Sequence, residues 1–151
     1  MTGKLMVLTA LVLMAALAPV ASLAADKAEP AAEKMATPAP KAFFANLKDG
    51  DTVTSPFKVK FGLEGMQVKP AGDLTPNTGH FHLLIDTELT GDQLKTSIPV
   101  DDSHRHFGKG QMEADVTLPA GKHTLQLVMG DGNHTPHNPP VMSDKITVTV
   151  K

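Results

Sequence analysis

The stretch Gly79-His80-Phe81-His82-Leu83-Leu84-Ile85-Asp86 decides how the rest of the chain is read. In an extended strand successive side chains leave on opposite faces, which sends Phe81, Leu83 and Ile85 one way and His80, His82, Leu84 and Asp86 the other. Two imidazoles then stand on one face, with their Cα atoms about 6.5 to 7 Å apart, close enough to converge on a single ion. Working outward, the His-x-His phrase returns at His104-Arg105-His106, a looser pair follows at His134-Thr135-Pro136-His137, and His123 lies between them. All seven histidines of the 151 residues fall between positions 80 and 137.

The segments around this region alternate in the same way. Phe57, Val59, Phe61 and Leu63 alternate with Lys58, Lys60 and Gly62; Met112, Ala114, Val116 and Leu118 alternate with Glu113, Asp115 and Thr117. His123 to Met129 places Leu125, Leu127 and Met129 on one face, and the last strand directs Ile146, Val148 and Val150 inward. Pro119-Ala120-Gly121-Lys122 is a hairpin turn, while 70–78 and 130–140 are loops rich in Gly, Pro and Asn. The polar span from Thr90 to Gly110 predicts irregular structure with at most a helical turn near Asp92 to Thr96. Six or seven short strands with frequent turns, and no amphipathic helix of ordinary length, predict an all-β fold, a two-sheet β-sandwich of immunoglobulin-like character.

The N-terminal residues read differently. Lys4 precedes an apolar run from Leu5 to Leu17, and small residues stand at Ser22 and Ala24, the pattern of a secretory signal peptide over 1–24. The run is too short to be a comfortable membrane span, and no cysteine follows it to carry a lipid anchor. Residues 25–41 are mostly Ala, Pro, Lys and Glu, a composition that reads as a flexible tether, and the folded domain is expected over 42–151. The protein is therefore expected to be exported, to the periplasm, without a membrane span after cleavage.

Composition excludes several functions. The net charge of −2, near −3 once Lys4 is removed with the leader, argues against a nucleic-acid partner. With no cysteine there is no disulfide, thiolate nucleophile, iron–sulfur cluster or blue-copper ligand. The absence of Trp and Tyr removes the side chains on which sugar rings commonly stack.

The ordered phrases Gly79 to Asp86, His104-Arg105-His106-Phe107-Gly108-Lys109-Gly110-Gln111, Gly121-Lys122-His123-Thr124-Leu125-Gln126-Leu127 and His134-Thr135-Pro136-His137 with Pro139-Pro140-Val141 resemble a family of small exported bacterial proteins catalogued as a domain of unknown function. The resemblance covers nearly all of 43–150. It implies a His-rich immunoglobulin-like domain and brings no activity with it.

The chemistry follows from the imidazoles themselves. His80, His82, His104, His106, His134, His137 and His123 are the candidate metal ligands, and with imidazole and carboxylate present but thiolate absent, Cu(II) and Zn(II) lead. Met112 and Met129 sit on apolar strand faces and are expected in the core, whereas Met66 and Met142 stand in or near loops. The ordinary alternatives are an outward polar face for His80 and His82, a satisfied histidine at the core edge for His123 and turn chemistry for His134 and His137. Asp101-Asp102-Ser103-His104 holds the residue types of a hydrolase triad, but chain neighbours do not converge as nucleophile, base and orienter, and no Gly-x-Ser-x-Gly phrase exists. The sequence thus predicts a non-enzymatic metal-binding or metal-handling protein for copper or zinc. The competing reading is an envelope protein-binding module whose histidines respond to pH.

Overall fold

The computed structural model describes residues 38–151. The leader and nearly all of the tether lie outside them. Nine strands follow in order: β1 (Lys41–Phe44), β2 (Thr52–Val53), β3 (Phe57–Glu64), β4 (Gln67–Val68), β5 (Thr78–Ile85), β6 (His104–Phe107), β7 (Glu113–Val116), β8 (Gly121–Gly130) and β9 (Ile146–Val150). They form two sheets. One has the order β1-β3-β7, and the other runs β2-β9-β8-β5, with β4 and β6 taking successive stretches along the free edge of β5. The short β2 pairs parallel with the final strand β9, and the remaining neighbours apart from β4 are antiparallel. The fold is an immunoglobulin-like two-sheet β-sandwich. No helix among the described residues is long and apolar enough to cross a membrane.

The alternation read in the sequence builds the core. Phe57, Val59 and Phe61 of β3, Phe81, Leu83 and Ile85 of β5, Leu125, Leu127 and Met129 of β8, and Ile146, Val148 and Val150 of β9 are all buried between the sheets. Phe61 joins the layers, with its ring centroid 5.0 Å from Phe81 and 4.9 Å from Phe107. Met129 is in this core as expected. Met112 is not: β7 begins only at Glu113, and Met112 stands 44% exposed outside the ladder.

The second face of β5 departs from a half-exposed strand, because all eight residues from Thr78 to Ile85 are buried. Residues 87–100 and 131–135 cross the outside of the larger sheet, and 136–142 return beside β8, with Pro136 bridging to Gly130 and Met142 to Val128. Leu89 and Ile98 from the first crossing join Leu84 of β5 and Val128 of β8 in a small second core, with Leu94 and Met142 packed against it. The two crossings are tied together where the Ile98 N–H donates to the His134 carbonyl at 2.8 Å. A 3-10 turn, Gly91–Lys95, lies within the first crossing, close to the helical turn expected there. The face that reads as solvent-facing is therefore roofed. The segment read as irregular also contains β6, whose partner is β5 itself.

Candidate metal centre

Strand register assembles the site. His82 of β5 is directly opposite His106 of β6, and His80 is opposite Gly130 of β8. On β6, Phe107 enters the main core against Phe61, which fixes His106 on the opposite face, beside the β5 histidines. The fourth imidazole comes from the roof. Asp131 Oδ1 accepts the N–H groups of Asn133 at 2.8 Å and Thr135 at 3.0 Å, and the His134 N–H donates to the Asp131 carbonyl at 2.9 Å, so a tight turn presents His134 with φ at +65°.

The result is a nest of imidazoles. His80 and His82 have ring centroids 4.9 Å apart, His80 and His106 4.9 Å, His82 and His106 5.0 Å, His80 and His134 5.0 Å, and His106 and His134 4.7 Å. One ring nitrogen from each of His80, His82 and His106 lies within 4.8 Å of the other two. Nε2 of His80 and Nε2 of His82 are only 3.0 Å apart. Two imidazole nitrogens at that distance either share one proton or face a common cation.

Hydrogen bonding inside the nest is incomplete. Nδ1 of His80, Nδ1 of His82 and Nε2 of His106 are buried with no partner. Each buried polar group left unpaired costs about 1–3 kcal/mol. Burial, reinforced by the neighbouring imidazoles His106 and His134, pushes His80 down to about 4; burial together with His80 and His106 pushes His82 down to about 3. His106 is lowered for the same reasons, burial first and His134 second. The rings are thus neutral at pH 7 with free lone pairs, the state in which imidazole ligates metal.

Two glycines make the space. A Cβ on Gly130 would lie 2.9 Å from Nε2 of His82, and one on Gly108 would run into the His106 ring. We expect Gly130→Ala, at a position whose backbone accepts alanine, to displace the His82 ring and weaken metal binding about 10- to 100-fold by calorimetry, the equivalent of about 1–3 kcal/mol of overpacking. An unchanged affinity would show that Nε2 of His82 is not a ligand.

The other candidate residues stand apart from the four. His104 shares the face of His106 and is held at Nδ1 by Asp101 Oδ1 at 2.8 Å, while its buried Nε2 is unpaired. That hydrogen bond is also the main cause of the lowered Asp101 carboxyl, and it orients the His104 ring. His137 reaches toward Gly79 with a buried, unpaired Nε2 and stands where two surface clefts of about 420 and 410 Å³ meet.

His123 is engaged at both nitrogens, Nδ1 with Asp86 Oδ2 at 2.7 Å and Nε2 with the Pro119 carbonyl at 3.0 Å. Its hydrogen bond to Asp86 raises its pKa; Asp86, which burial alone would raise, is held low by His123 and the Thr124 N–H. Alternation would place Asp86 beside the β5 histidines. Instead the strand ends at Ile85, and Asp86, at φ +55°, turns to His123. This clamp lies beyond the far end of β5, about 13 Å along the chain from His82 at strand rise. Asp86→Asn should lower thermal stability by about 1–2 kcal/mol and leave metal affinity unchanged; a parallel loss of affinity in the calorimeter would tie the clamp to the site.

A family model described as "Domain of unknown function (DUF4399)" matches residues 59–151, a span that takes in every histidine. No curated protein matches the chain. Among solved structures the chain is similar to "Structures of Clostridium thermocellum CbhA fibronectin(III)-like modules", at 14% identity and a TM-score of 0.39, over 74% of this chain and 46% of that chain. It therefore spans less than half the length of that chain.

Proposed function

We propose that the chain, which belongs to the DUF4399 family, is an exported metal-binding protein that holds a copper or zinc ion in the imidazole nest of His80, His82, His106 and His134. The observation that carries this reading is the convergence of His80, His82 and His106, one ring nitrogen of each lying within 4.8 Å of the other two, with the Nε2 atoms of His80 and His82 facing each other at 3.0 Å. A bound cation would take up the lone pairs of the facing Nε2 atoms of His80 and His82 and of the unpaired Nε2 of His106. The donor chemistry fits, since imidazole suits both metals.

The role is to carry or store the ion, in the periplasm to which the leader would direct the chain. Four imidazoles fill a tetrahedral valence, whereas catalytic sites keep a position open for water. His137, which lines both clefts beside 137–140 and has an unpaired Nε2, would serve as the first contact for an ion arriving along them.

The test is calorimetric titration of chelator-treated protein with Cu(II) and with Zn(II) at pH 7. One ion per chain at submicromolar affinity is the expected result. Weak, non-stoichiometric binding of both, and of copper(I) under reducing conditions, would remove the reading.

A further inference from the structure

Every donor gathered at the nest is an imidazole nitrogen, a donor that brings no negative charge to an ion. Among the described residues, the one set of three or more His, Cys, Asp or Glu donors within 4.8 Å of one another is His80, His82 and His106, and the side chain that packs against His80 and His106 from the roof is a fourth imidazole, His134. No carboxylate belongs to the set. Asp131, whose charge reaches His80, has Oδ1 committed to the N–H groups of Asn133 and Thr135, and Asp101 holds His104.

The outer shell is equally bare. In sites that hold a dication, a ligating histidine commonly donates its second ring N–H to a carboxylate or carbonyl, which makes the ligand more basic and spreads the metal's charge. Here Nδ1 of His80 and Nδ1 of His82 meet no acceptor. On the same sheet face the neighbours are Leu84 and Val128, roofed by Leu89 and Ile98. The cost of placing an ion in such surroundings grows with the square of its charge, so a dication is penalised roughly four times as heavily as a monocation.

We infer that the nest selects copper(I) over copper(II) and zinc(II): a single positive charge held by neutral nitrogens, with no anion needed beside it. The inference rests on the proposed metal-binding role and names the ion. A d10 ion also imposes no geometry of its own, which at rings fixed by strand register favours copper(I) over d9 copper(II); against zinc(II), itself d10, the discrimination is by charge.

The experiment is the reduction potential of the copper-loaded protein, measured against copper in excess free imidazole at the same pH, with a parallel competition between copper(I) and zinc(II) under anaerobic conditions. We expect copper(I) to be favoured over copper(II) at least 100-fold more strongly than in the imidazole reference, a potential about 120 mV higher at 59 mV per tenfold for one electron. Zinc(II) at equal concentration should not displace copper(I). His106→Glu, which exchanges a neutral donor for an anionic one, should move the potential down toward the reference. Stoichiometric copper with a potential at or below the reference, or displacement by zinc(II), overturns the inference and leaves the metal-binding role standing. Failure to bind copper in either state or zinc overturns both.

Discussion

Replacing His80 and His82 together by leucine is expected to abolish stoichiometric metal binding and, in the same protein, to raise the thermal stability of the metal-free domain. The two effects have one origin. Both rings are fully buried, each has an Nδ1 without a partner, and their Nε2 atoms meet only each other. Leucine has a similar volume and no polar atom, so the variant removes polar groups that cost about 1–3 kcal/mol each when buried unpaired. A gain of about 2–4 kcal/mol before repacking losses is the expected scale. Loss of two donors from the set should lower affinity by at least about 1000-fold, since even outer-shell partners are commonly worth 10- to 100-fold. Denaturant unfolding and calorimetry read the two quantities separately. A variant that loses stability along with binding would mean that these histidines are core residues with a structural task, and the metal reading would lose its support.

Acidification should destabilise the metal-free domain sharply. His80 and His82 have folded values of about 4 and about 3 against 6.5 in the unfolded chain. Because the folded values are depressed, the unfolded state binds protons first, so stability is intact above about pH 6.5 and falls as the pH drops toward the folded values. At pH 5 each ring accounts for about 2 kcal/mol, and the pair for about 4 kcal/mol. His106 acts in the same direction. His123 opposes them: its raised value adds stability as it becomes protonated in acid. The lowered carboxyls Asp86 and Asp101 remain charged through this window and contribute only below it. Between pH 7 and pH 5 the melting temperature should fall by roughly 15–30 °C for a domain of this size. Saturating zinc(II) or copper should reduce the fall, because protons must then compete with the ion. A melting temperature constant within 2–3 °C across this range (about 0.5 kcal/mol) would show that the rings are solvated in solution.

The elements legible in the sequence are those whose burial follows a period of two. Phe57-Val59-Phe61, Leu125-Leu127-Met129 and Ile146-Val148-Val150 identify their own strands and inward faces, and the sandwich follows from them. The strand His104–Phe107 escapes this reading because four residues, three of them polar and charged or titratable, have no apolar alternation; only pairing with β5 makes them a strand. The roof escapes it too. Leu89, Leu94 and Ile98 are spaced without strand or helix period among polar residues, so nothing local shows that they cover Leu84 and Val128 on the sheet. Met112 fails in the opposite sense, fitting the alternation one residue before the ladder starts. The seven candidate ligands were visible as residues, but which of them meet depends on the register of His82 against His106 and on the turn that brings His134 to the nest. Those are long-range facts, and no spacing along the chain encodes them.

Strand β5 carries an uneven inheritance on its two faces. Its odd-numbered side chains, Phe81, Leu83 and Ile85, belong to the packing that makes the sandwich, while His80 and His82 belong to the imidazole nest and Leu84 to the second core beside it. A mutation at an odd position is therefore answered by the whole domain, while one at His80 or His82 is answered by the nest. The parity of a single strand thus separates the side chains that hold the two sheets together from those that make up the nest.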